Sequence, residues 1–193
     1  MSTQLSNRTH RQLNASGDIF AGPANRCRLL ASCAALLFAL GGQNPALADP
    51  PAVRADAILI VKHERKLYLL RDNSLLRSYR VALGLSPTGA KMHEWDFRTP
   101  EGTYIIDFRQ QHSHYFKALH VSYPSAADLK RSSALHLPAG GSIFIHGEPN
   151  QPTKPLSYYK TRDWTNGCIA LADADLQEVW ELTAGQTPVQ IVP

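Results

Sequence analysis

Two stretches decide the reading of this chain: Ile143-Phe144-Ile145-His146-Gly147, and Asp163-Trp164-Thr165-Asn166-Gly167-Cys168-Ile169. In the first, three β-favouring apolar residues run into a histidine and a glycine, the pattern of a short buried strand with a polar side chain at its end. In the second, a cysteine follows a glycine and opens the apolar segment Ile169-Ala170-Leu171. A thiol attacks a carbonyl as thiolate, and a neighbouring imidazole promotes this by taking its proton. Gly167 permits positive φ or close approach of the backbone to a substrate. The N–H groups around Gly167 and Cys168 are then candidate donors to a developing oxyanion, a contribution of about 3–4 kcal/mol in other acyl-transfer enzymes. Chemistry alone leaves two readings. Either His146 is a hydrogen-bonded strand-end histidine and Cys168 packs as a small hydrophobe, or the two are base and nucleophile. The glycine-flanked cysteine favours the second.

Outward from these stretches the pattern stays β-rich. Residues 57–61, 66–70 and 78–83 are short apolar or alternating runs separated by polar turns, which predicts an antiparallel meander. Residues 84–99 are polar and turn-rich and read as a surface loop. Thr99-Pro100-Glu101-Gly102 is a turn signal before a strand at 103–108, and a further strand over 118–123 is expected to end at Pro124. Residues 126–129 suggest a single helical turn. Residues 148–161, with three prolines and no apolar period, read as a loop or lid. Asp173 is the expected N-cap of a helix with Leu176, Val179, Trp180 and Thr183 at helical spacing, closed by Gly185, and 187–192 is a last strand. The predicted fold is mainly β with one or two helices, a β-rich α+β domain of sandwich or distorted-barrel type.

The chain has 193 residues and is 44% hydrophobic, which excludes a disordered polymer and suits one domain. Its formal charge of +4 is concentrated in Arg8, Arg11, Arg26 and Arg28, opposed before residue 30 only by Asp18. A basic terminus of that kind is not the concentrated face that nucleic acid requires, so no nucleic-acid partner is expected. Leu29 to Leu40 is apolar, and Ala46-Leu47-Ala48 is a small-x-small site. Residues 1–48 therefore read as a secretory signal peptide cleaved after Ala48, with 49–54 a short linker and 55–193 the domain. The apolar run is short for a membrane helix, which needs roughly 20 residues, so no stable span is expected after processing. Removing the leader removes Cys27 and Cys33, leaving Cys168 as a lone thiol in an oxidising compartment, which asks for a chemical reason.

His-Gly followed by Thr-Asn-Gly-Cys-Ile resembles the catalytic signature of the L,D-transpeptidase (YkuD-like) family. The resemblance covers roughly Ala55 to Val192. It includes Leu83-Gly84, the Thr-Pro-Glu-Gly-x-Tyr turn at Thr99 to Tyr104, Tyr115-Phe116-Lys117-Ala118-Leu119 and Ser122-Tyr123-Pro124, and is nearest to short periplasmic members. It implies Cys168 as nucleophile, His146 as general base, and Gly147, Thr165, Asn166 and Gly167 as shaping residues, with Tyr115 and Tyr123 candidates for the substrate groove. It implies a periplasmic enzyme acting on peptidoglycan stem peptides: D-Ala leaves, a thioester forms, and an amine acceptor completes a cross-link. An L,D-specific hydrolase passing the acyl group to water, or a non-catalytic cell-wall binding module, are the alternatives. The pattern departs from the family at Asn166, where a histidine is usual, and at Ala170, where an arginine often contacts a substrate carboxylate.

A sortase-like arrangement needs an arginine after the cysteine, and no Lys or Arg follows Arg162. A papain-like arrangement puts cysteine before histidine. His112, His114, His120 and His136 invite a metal reading, but surface histidines are the simpler account, and no metal or organic cofactor is expected.

Overall fold

A computed structural model describes residues 53–193. The expected leader, its cleavage site and most of the linker lie outside the described residues. The first two hairpins follow from alternation. β1 (Ala57–Val61) and β2 (Lys66–Arg71) pair antiparallel, with Ile58 opposite Leu69 and Ile60 opposite Leu67, all four fully buried. Each such side chain contributes roughly 1.5–3 kcal/mol. Asp72 and Asn73, both at positive φ, make the tight turn into β3 (Ser74–Arg80), a conformation their short polar side chains tolerate.

The predicted third strand thus begins earlier than its apolar part. Val81-Ala82-Leu83 leaves the β2 ladder and runs across to the other end of the sheet. β4 (Gly102–Ser113) is long and bent: its first residues pair with β8 (Pro188–Val192), and its remainder pairs with β5 (Phe116–Val121). β5 pairs antiparallel with β6 (Phe144–His146), which lies parallel to β7 (Ile169–Ala170). The strand order is β3-β2-β1-β8-β4-β5-β6-β7, with β8 parallel to β1. Ala82 and Ala170 exchange backbone hydrogen bonds at 2.8 Å in both directions, tying the end of the sheet at β7 to the segment after β3. The β-rich class is therefore correct.

There are three helices among the described residues, where one or two were expected. α1 (Ala126–Ala134) is a full helix, not one turn. Its sequence is too polar for an apolar stripe to announce it. Ser125 and Asp128 form a capping box, and buried Asp128 also accepts from Tyr104 Oη (3.0 Å) and pairs with Arg131. The predicted loop at 148–161 contains α2 (Leu156–Thr161), which buries Tyr159. α3 (Asp173–Leu182) buries Leu176 and Val179 as expected, but its N-cap is Ala172. Asp173 is freed for another use: its Oδ1 accepts the Glu148 N–H at 2.7 Å, holding the chain just beyond His146-Gly147.

Candidate active site

β6 and β7 place the two chemical residues. Ile145 is fully buried, so alternation turns Phe144 and His146 to the opposite face. Ile145 is in register with Ile169 and His146 with Ala170, which sets Cys168 level with Phe144 on the adjacent chain segment. His146 and Cys168 both line one cavity of about 560 Å³. That is the size of a small-ligand site.

His146 is 4% exposed, and its Nδ1 lies 2.8 Å from the Gly147 carbonyl oxygen. A carbonyl only accepts, so Nδ1 carries the proton and Nε2 is left as a free acceptor. Burial pushes the imidazole pKa down to about 4 against the opposing effect of that hydrogen bond, so the ring is neutral near pH 7. Tyr115 lies 4.5 Å from it and Trp164 meets it edge-on at 5.6 Å, centroid to centroid. Trp164 is itself held by its Nε1–H donating to Tyr159 O at 3.2 Å.

Cys168 is half-buried, with Sγ donating to Ser142 O at 3.5 Å. Burial pushes its pKa up, while the Phe144 N–H and the charge of Lys91 act the other way. The resting pair is therefore a neutral thiol and a neutral imidazole with a vacant acceptor nitrogen. From such a state, proton transfer to His146 would accompany an attack by Sγ instead of preceding it.

The turn before the cysteine is braced by Thr165, which is buried. Its Oγ1 donates to Cys168 O (2.7 Å) and accepts the Gly167 N–H (3.1 Å). That corrects the expectation for the oxyanion donors: the Gly167 N–H is already engaged. The Cys168 N–H makes no hydrogen bond to the described residues and is the donor available there. Gly167 sits at φ +128°, and a Cβ there would lie 2.7 Å from Arg98 O. Gly147 donates to Tyr115 O at 3.0 Å, and a Cβ on it would lie 2.4 Å from Asp173 Oδ1. Asn166 is exposed and lines the cavity.

Of the two groove tyrosines, only Tyr115 lines the cavity. Tyr123 belongs to the core, 4% exposed, with its hydroxyl donating to Ala139 O at 2.8 Å; its alternation places it inward. The histidine cluster separates: His120 Nδ1 pairs with Asp107 Oδ1 at 2.6 Å, and His114 lines the cavity. Among the described residues, no group of three His, Cys, Asp or Glu is placed to hold a metal ion.

The predicted surface loop at 84–99 is in part an inner wall of the site. Lys91 and Asp96 form a buried ion pair at 2.8 Å, and Lys91 lines the cavity. Burial alone would raise the Asp96 pKa, but Lys91 and the N–H groups of Met92, Arg98 and His93 hold it below the ordinary carboxylate range. The missed signal was a charged pair five residues apart in a segment with no regular apolar period to mark it as buried.

With this geometry in place, comparison with known proteins is informative. The family model described as the L,D-transpeptidase catalytic domain matches residues 55–191. The chain belongs to this family. A relative is the Escherichia coli K12 protein named "Putative L,D-transpeptidase YafK", 28% identical over 145 residues, covering 69% of this chain and 51% of that protein. The chain thus spans about half the length of the curated relatives it matches. Among solved structures, the helical cell shape determining protein Pgp2 of Campylobacter jejuni is similar at a TM-score of 0.53 and 24% identity, over 70% of this chain and 46% of that one. Bd1075 of Bdellovibrio bacteriovorus is similar at 0.51 and 22%, over 75% and 50%. These two likenesses show a shared fold, and the family match over residues 55–191 identifies it as that of the L,D-transpeptidase catalytic domain. The departure at Ala170 has a structural setting: this residue is 3% exposed and paired on both sides, to β6 and to Ala82.

Proposed function

We propose that the chain is an exported cysteine acyltransferase acting on peptidoglycan stem peptides. The observation that supports this reading is that His146 and Cys168 line one cavity, with His146 Nδ1 tied to the Gly147 carbonyl. Nε2 takes the proton from Cys168 as Sγ adds to the carbonyl between an L-centre and a D-centre. The tetrahedral oxyanion receives the Cys168 N–H. Collapse breaks the C–N bond, the amine of D-Ala leaves with the proton held on His146, and a thioester remains on Cys168. An incoming amine gives its proton to His146, attacks the thioester and regenerates the thiol as a new amide forms. The periplasm is the proposed compartment, on the leader at 1–48 and the substrate class. No helix among the described residues is long and apolar enough to cross a membrane.

The test is product analysis with defined tetrapeptide muropeptides. Cross-linked dimers are expected, absent with Cys168→Ala. Only shortened or released stems would assign the L,D-hydrolase activity to the same thioester. Retained muropeptide binding with no turnover in either protein would leave a binding module.

A further inference from the structure

The cavity that holds Cys168 has one permanent cation among its described lining residues, Lys91, and one carboxylate, Glu94; His146 is held neutral. Lys91 is 4% exposed, so its ammonium is placed by the fold and does not wave in solvent. Its three N–H groups have a single protein acceptor, Asp96 Oδ1 at 2.8 Å. Asp96 is meanwhile saturated by backbone donors, from Met92 (2.7 Å), Arg98 (3.0 Å) and His93 (3.3 Å). The carboxylate is thus anchored by the loop itself, and it in turn fixes the ammonium against the cavity. Beyond that ion pair, two N–H donors of a buried ammonium on the cavity wall are left for a second acceptor, which an anionic group of a ligand would supply. Glu94 does not supply one: no hydrogen bond joins the two side chains, and its Cβ and Cγ lie beside Gly140.

We propose that Lys91 is the specificity residue that binds the carboxylate of the departing D-residue, so that the enzyme selects acyl donors whose leaving amine bears a free α-carboxylate. This rests on the thioester reading above. A D-residue leaving through its amine carries its carboxylate one carbon from the reacting nitrogen. A fixed cation in the same cavity as the nucleophile therefore reports on that group. Amidated or esterified ends, and amines with no carboxylate beside the nitrogen, forgo the contact.

The experiment uses the purified full chain and two donors, a stem tetrapeptide ending in D-Ala and the same peptide ending in D-alaninamide. Release of D-Ala or D-alaninamide is measured, with and without an amine acceptor. Wild type is expected to prefer the free acid by about tenfold or more in kcat/KM, the usual range for losing a hydrogen bond to a charged group. Lys91→Met is expected to bring the acid-to-amide ratio close to one, chiefly through KM, and Lys91→Arg to restore part of it. Lys91→Met/Asp96→Asn removes both charges and keeps one side-chain acceptor oxygen for the loop's backbone donors, a second variant should the single one fail to fold. Equal use of both donors by wild type, or an unchanged ratio in either Lys91→Met protein, would overturn the inference while leaving the thioester intact. Absence of release from both donors, together with no acyl adduct on Cys168 by intact mass, would remove the reading beneath it.

Discussion

The Nδ1 of His146 and the carbonyl oxygen of Gly147 lie 2.8 Å apart, so the histidine is held in one tautomer by the backbone of its own successor. Ser-His-Asp triads use a side-chain carboxylate for that task. A carbonyl orients the ring equally well but adds no formal charge to stabilise an imidazolium. In the proposed mechanism a proton taken from Cys168 would therefore be held only transiently and readily returned to the leaving amine.

Replacing His146 by Gln should keep a polar side chain of similar reach while removing the base. Acylation of Cys168 by a tetrapeptide donor is expected to fall by about 10²–10⁴-fold. Single-turnover mass spectrometry of the thioester measures it, and a loss below tenfold would exclude His146 as general base.

Stability should respond to acid through the same ring. Its pKa falls from 6.5 to about 4 on folding, because burial resists the charge. Between those values the unfolded chain binds the proton and the folded one does not. Stability is therefore present above pH 6.5 and lost progressively as pH falls toward 4, by about 3 kcal/mol for this group. Denaturant midpoints between pH 7 and 4 should drop more steeply for wild type than for His146→Gln.

The thiol offers a kinetic counterpart. Burial raises the Cys168 pKa, so simple alkylation by iodoacetamide at pH 7 should be slower than for a free cysteine and should climb into the alkaline range. Peptide-donor acylation, where His146 takes the proton, should reach its plateau at lower pH. Coincident profiles for the two reagents would contradict a neutral resting pair.

Thr165→Val removes the hydroxyl that joins Gly167 N–H to Cys168 O. Leaving those two buried groups unpaired should cost about 1–3 kcal/mol each in folding stability. The turnover number should fall more than KM rises, since the turn that aims Sγ loosens. Thr165→Ser should recover most of both.

Gly167→Ala and Gly147→Ala test two different constraints. At Gly167 a side chain meets positive φ and the Arg98 carbonyl together; at Gly147 it meets the Asp173 carboxylate. Each should destabilise by about 1–3 kcal/mol or more. Adding Asp173→Ala should relieve part of the Gly147→Ala defect and none of the Gly167→Ala defect, as thermal unfolding of the double variants would reveal.

How much was legible in the sequence varies with the physics of each element. β1 and β2 alternate cleanly because one face is buried, and α3 carries Leu176 and Val179 on one stripe, so local pattern was enough. α1 is held by its capping box and by Asp128 beneath Tyr104, interactions with no apolar period. His146 and Cys168 stood out as candidates from their glycine neighbours, and both line one cavity. Lys91 and Asp96 were not, since a charged pair in a turn-rich segment looks like surface until the rest of the chain closes over it. Asp173 was recognised as belonging to a helix start, but its partner, Glu148, lies across the fold, and only tertiary structure brings that N–H to it.

The position of residues 188–192 bears on how the molecule comes into being. This strand lies between β1 and β4 and, together with the Ala82–Ala170 bridge, joins the early hairpins to the half that holds the cysteine. A polypeptide threaded through a translocation pore amino end first would lack the strand between its two half-sheets until residues 188–192 arrived. Under the proposed export, the cavity around Cys168 would gain its finished surroundings only after passage, where the proposed substrate lies within reach.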